Sequence, residues 1–166
     1  LTLASPVAFP HLANFVTLPG GSARGLGHVD ASAALDCIVS PIFFKTGSAV
    51  SGAATVVLYI VTAEEIVTQT GSGWTGFTDG IDPDLATGSQ HTLIADATQA
   101  NGVQMLGGAD SPLVGNTYYC FRSFSLKSEL GFVPHFWAPL IWARTGTGNS
   151  LSATSTDFYA KYSILT

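Results

Sequence analysis

Three carboxylates, Asp79, Asp82 and Asp84, fall within one short stretch, TDGIDPD. Oxygen donors of this kind suit hard cations such as Ca²⁺. The stretch lacks the ligand order and terminal Glu of a calcium loop, and Asp-Gly and Asp-Pro-Asp are ordinary turn chemistry. The sequence therefore calls for no metal, with Asp79, Asp82 and Asp84 as the place where one would bind. His11, His28, His91 and His135 are widely separated and form no HxxxH or HxH pair. Glu64 and Glu65 are adjacent, so in an extended chain they point to opposite sides and cannot act as a paired acid and base. The run Gly71 to Gly76 (GSGWTG) matches GxGxxG, but Phe-Thr-Asp-Gly-Ile-Asp-Pro follows where a helix would have to offer its free N–H groups to a phosphate. No GxSxG nucleophile elbow occurs. These residues predict a non-enzyme with no catalytic residues and no cofactor.

Aromatic side chains carry a second kind of chemistry. Trp74 and Phe77 sit in a Gly-rich loop, where they are the candidate exposed anchor for a neighbouring subunit or for a stacked sugar ring. Trp137 and Trp142 are five positions apart, so a regular strand turns them to opposite faces. Cys37 and Cys120 lie far apart in apolar, strand-like contexts without a CxxC pattern. They are expected to be buried free thiols, with a disulfide across the sheets as the alternative.

The elements that must position these residues are strands. Ala33 to Val39, Ile42 to Lys45, Ala53 to Thr62, His91 to Ala95, Val103 to Leu106, Thr117 to Phe124, Phe136 to Arg144 and Asp157 to Leu165 are short, β-branched or alternating, and separated by polar turns. One helical turn is expected at Ser125 to Leu130. Pro139, inside an aromatic run, predicts an edge strand or a bulge. The fold class is all-β: a single jelly-roll-like β-sandwich of about eight strands over residues 30–166, preceded by an extended Pro/Gly-rich arm at 1–29. That arm also carries Phe9, Leu12, Phe15 and Val16, candidate interface residues that would lie across the chain's own sandwich or a neighbour's.

Composition limits the partners. The chain has 166 residues, one domain's worth, of which only 10% are charged and 46% hydrophobic. Charge this sparse suits a surface partly covered by other subunits, in a homo-oligomer. Six Lys and Arg against eleven Asp and Glu leave a net charge of −5 and no cationic face for nucleic acid. Glu64, Glu65, Asp79, Asp82, Asp84, Asp96 and Asp110 all lie between Lys45 and Arg122, a span without a single Lys or Arg. The longest apolar run, Ala53 to Val61, is about half a membrane span, so no membrane association is expected.

Several patterns together resemble small virion proteins encoded among the structural genes of tailed bacteriophages. These are Leu35-Asp36 before a strand, Lys45-Thr46-Gly47, Val57 to Val61 (VLYIV), Phe77-Thr78-Asp79-Gly80, Pro134 to Trp137, Thr147 to Thr154 (TGNSLSAT) and the aromatic strand from Phe158 to Tyr162. Thr62-Ala63-Glu64-Glu65 departs from the pattern, which has a Ser-Asp-Gly turn there. The resemblance implies a structural β-sandwich of the virion, with a capsid decoration or cement protein as the first expectation and a tail, neck or fibre component as the second. Its partners would be the major capsid protein or other virion proteins, and a trimer would suit threefold positions on a capsid. A carbohydrate-binding sandwich module using Trp74 and Phe77 is the expectation from a different class.

Overall fold

The computed structural model describes residues 1–48, 50, 55–63, 113–143 and 151–166, and the backbone of 103–109. Its strands are β1 (Val7–Ala8), β2 (Ser22–Gly25), β3 (Val29–Asp30), β4 (Asp36–Val39), β5 (Ile42–Lys45), β6 (Val56–Ala63), β7 (Val103–Ala109), β8 (Tyr118–Phe121), β9 (Phe124–Ser125), β10 (Phe136–Ala143) and β11 (Lys161–Leu165). All of their pairings are antiparallel. The protein is all-β and sandwich-like, and the only α-helix among the described residues is the single turn α1 (Leu126–Leu130).

One sheet runs β2-β10-β6-β7, with β3 continuing beside β10 after β2. The facing layer contains β1-β11-β4-β9 and the ribbon β5-β8. These last two are joined, because Phe43 N donates to Tyr159 O at 2.8 Å and Tyr159 N donates to Phe43 O at 3.0 Å. Ser40-Pro41 breaks the ladder between β4 and β5, since proline has no N–H to contribute.

The alternation of β6 and β10 divides their side chains between two apolar clusters. Val56, Leu58, Ile60, Trp137 and Ile141 face the other layer and meet Cys37, Val39, Ile42, Phe44 and Phe121 there. Val57, Tyr59, Val61, Ala138, Leu140 and Trp142 form a second buried cluster on the opposite face. Trp137 and Trp142 are thus on opposite sides, as their spacing predicts.

Pro139 sits in neither an edge strand nor a bulge of its own. β10 is flanked on both sides, pairing Pro139 with Ile60 of β6. The irregularity lies in the neighbour: Gly25 pairs with Leu140 and Val29 with Trp137, so the β2–β3 side holds one residue more than β10 does. Leu26 N donates to Pro139 O at 2.9 Å, which places the missing proline N–H toward this bulged connection. Gly27 provides the bend at φ +94°, and a Cβ there would meet His11 Cδ2 at 2.7 Å.

The helical turn forms where the sequence placed it. Ser125 caps it by accepting from Ser128 N at 3.0 Å, and Gly131 ends it at φ +82°. Asp36 fastens the turn to β4, accepting from Lys127 N at 3.0 Å and from Ser125 Oγ at 2.6 Å.

Residues 1–29 are part of the sandwich, which differs from the extended arm expected from their Pro and Gly content. β1 pairs with β11, and β2 pairs with β10. Phe9, Phe15, Leu18 and Leu26 are buried in the main core, and Leu12 and Val16 pack against it. Phe9 stands edge-on to Trp137, ring centroids 5.7 Å apart. Composition favoured an arm because turn-forming residues dominate the segment, whereas burial of its four apolar side chains decides where it lies.

Replacing Phe15 by Ala should therefore lower unfolding stability by about 3–5 kcal/mol, as for other buried aromatics. Urea denaturation measures this, and an unchanged midpoint would mean that residues 1–29 detach from the fold.

Candidate functional site

Three separated pieces of chain meet at one end of the β5–β8 ribbon. Lys45 ends β5, the Gly115-Asn116 turn leads into β8, and 151–157 returns beside both. Thr46, almost fully buried, holds the junction: its Oγ1 donates to Val114 O at 2.5 Å and accepts from Thr117 N at 3.0 Å. Ser152 N donates to Lys45 O at 2.9 Å and fixes the third piece. Asn116 adopts φ +53°, a left-handed conformation that Asn tolerates better than most residues.

These contacts surround a polar cavity of about 300 Å³, lined chiefly by Lys45, Ser48, Asn116, Ser152, Thr154 and Asp157. Asp157 is its organising group. It accepts from Tyr118 OH at 2.6 Å and from Ser152 Oγ at 2.5 Å, and Lys45 Nζ lies 3.6 Å from it. Ser152 Oγ in turn accepts from Thr154 N at 3.1 Å. The Ser152 and Tyr118 hydrogen bonds, followed by the Lys45 charge, hold the Asp157 carboxyl below its ordinary range. The same hydrogen bond to Asp157 raises the Tyr118 phenol, which must stay protonated to donate it.

Beside this cavity the layer turns a row of aromatic and cationic side chains outward. Phe43, Tyr118 and Tyr159 are 40%, 57% and 43% exposed, far more than aromatic residues of the core. The Phe43 and Tyr159 rings meet at 6.2 Å. Lys45 lies over the Tyr118 ring at 5.2 Å and Lys161 over the Tyr159 ring at 5.3 Å. Two of the chain's three lysines therefore belong to one aromatic face.

The structure brings together few of the residues singled out from sequence. Phe9, Leu12, Phe15 and Val16 pack into or against this chain's own core. Trp74, Phe77, Asp79, Asp82, Asp84, Glu64, Glu65, His91 and the Gly71 to Gly76 motif lie outside the described residues. Among the described residues no group of three or more His, Cys, Asp or Glu could hold a metal ion, and no helix is long and apolar enough to cross a membrane.

The cysteines are both free, but they are not alike. Cys37 is buried, and burial pushes its thiol up to about 11. Cys120 is exposed, a correction to the expectation that both are buried. It faces outward opposite Phe43 because Phe121 takes the inward position of β8.

Lys45, Asn116, Tyr118, Ser152 and Asp157 were not chosen from sequence as site residues. No motif links them, since their segments are brought together only by strand pairing and by Thr46. Searches against protein-family models, curated proteins and solved structures return no match. What the fold defines is an all-β, sandwich-like protein with a polar cavity next to an aromatic face.

Two solution properties follow. The Asp157 carboxyl is lowered in the folded state, so its contribution is present above the unfolded carboxyl range and is lost as pH falls through the folded value. Tyr118 is raised, so its contribution is present below the ordinary phenol value and is lost as pH rises through the folded one. Asp157→Asn should weaken both dependences and return the Tyr118 titration toward normal, which phenolate absorbance reads directly. In native protein, iodoacetamide should modify Cys120 and leave Cys37 unmodified until denaturant is added, as peptide mass spectrometry checks.

Proposed function

We propose that this chain is a non-enzymatic structural protein of a virion. In this reading it is a capsid decoration or cement subunit, built on a jelly-roll-like sandwich, that contacts the major capsid protein and copies of itself. The observation that carries the reading is the outward row of Phe43, Tyr118 and Tyr159 with Lys45 and Lys161. Exposed aromatic side chains in a ladder are the kind of surface that association buries, and aromatic residues dominate the energetics of such contacts. Sparse charge over the whole chain supports the same conclusion, because solvent-facing surface is usually richer in charged groups. The resemblance of its sequence patterns to small phage virion proteins supplies the setting, and in this reading the location is the capsid surface.

The contact runs through the β5–β8 face, and residues 1–29 act by completing the fold that presents it. Deleting 1–29 would therefore remove buried core side chains and test folding instead of assembly.

Light scattering on the purified chain should give the molar mass of an oligomer, with a trimer expected. The double variant Phe43→Ser/Tyr159→Ser should shift it to monomer while the circular dichroism spectrum stays unchanged. Each lost aromatic anchor should cost on the order of 1–2 kcal/mol of association. A native chain that is monomeric at every concentration, and that fails to sediment with capsids, would overturn the reading.

A further inference from the structure

We propose that the cavity lined by Lys45, Ser48, Asn116, Ser152, Thr154 and Asp157 binds a neutral pyranose sugar through its hydroxyl groups. The site borders the aromatic assembly face and shares Lys45 and Tyr118 with it, while Ser48, Asn116, Ser152 and Thr154 belong to the cavity alone.

Charge selects the class of ligand. The Asp157 carboxylate would repel an anion such as phosphate, and Lys45 Nζ, 3.6 Å from that carboxylate, opposes a metal cation there. What remains is a small neutral molecule that can both donate and accept hydrogen bonds. The lining offers that mixture: an ammonium donor, a carboxylate acceptor, the Asn116 amide and the Ser48, Ser152 and Thr154 hydroxyls. A sugar ring presents neighbouring hydroxyls with the same double capacity.

Preparation of the groups points the same way. Tyr118 and Ser152 hold one oxygen each of Asp157, so the carboxylate is fixed before a ligand arrives. The side chains of Ser48, Asn116 and Thr154 are exposed and make no hydrogen bond to the described residues, so a ligand would displace only water from them. Tyr118 adds an exposed ring beside the carboxylate, a surface on which the C–H face of a sugar can lie. The volume of about 300 Å³ is at the small end of ligand sites, suited to a single ring and not to a long chain enclosed along its length.

The sugar could be free or the terminal unit of a surface glycan, and two arms separate these sources. In the first, glucose, galactose and N-acetylglucosamine are titrated into ¹⁵N-labelled full chain. In the second, the chain is applied to immobilised oligosaccharides ending in the same units. Saturable shifts at the amides of Ser48, Asn116 and Thr154 are expected with at least one monosaccharide, and retention on the matching array assigns the source to a glycan terminus. Asn116→Gly keeps the left-handed backbone and removes the amide, so it should weaken binding about tenfold with an unchanged melting temperature. Its molar mass should equal that of the native chain, which distinguishes loss of this site from loss of assembly. No saturable response in either arm, shifts confined to other residues, or saturation by inorganic phosphate alone would overturn the proposal.

Discussion

Strand β10 has to be satisfied on four sides at once, and the rest of the molecule is arranged around that demand. It takes hydrogen bonds from β6 along one edge and from β2 and β3 along the other. Its two faces belong to two separate apolar clusters, one holding Trp137 and the other Trp142. A strand enclosed in this way cannot shift register by one residue without exchanging the contents of both clusters. Proline is normally excluded from such a position, because an absent N–H leaves a gap in the ladder. Here the neighbour supplies the remedy: the extra residue between β2 and β3, and the bend at Gly27, put irregular backbone where the proline cannot donate.

That remedy explains why the Pro/Gly-rich beginning of the chain matters to the fold. Leu26 and Gly27 are needed beside Pro139, while Phe9 packs against Trp137 and Tyr162. The same segment therefore supports the central strand at its edge and on its inner face. Its composition reads as a linker, but its apolar side chains are core.

The sequence revealed those features that depend on local pattern. Runs of β-branched and aromatic residues located β4, β5, β6 and β10, the five-residue spacing separated Trp137 from Trp142, and the helical turn fell within Ser125 to Leu130. Thr117 to Phe124 read as one strand, whereas the ladder breaks at Arg122 to give β8 and β9, because each half pairs with a different strand across Ser40-Pro41. The candidate cavity was not legible at all. Asp157, Tyr118 and Lys45 are unremarkable in sequence, and only the long-range pairing of β5 with β8 and of Phe43 with Tyr159 makes them neighbours. The exposure of Cys120 was hidden for a related reason. An apolar alternating strand has two faces, and only its partners decide which one is turned inward.

The two ends of the described chain are themselves paired. Thr2 N donates to Thr166 O at 2.7 Å, and Thr166 N donates to Thr2 O at 3.0 Å. Leu3 stands opposite Leu165, and the antiparallel pairing resumes at Val7 and Tyr162 with its register shifted by one residue. Tension applied between these ends would not slide one strand along the other. It would peel them apart from the rim, loading one pair of hydrogen bonds at a time. The two ends therefore form a single soft corner, from which any attached segments would leave side by side.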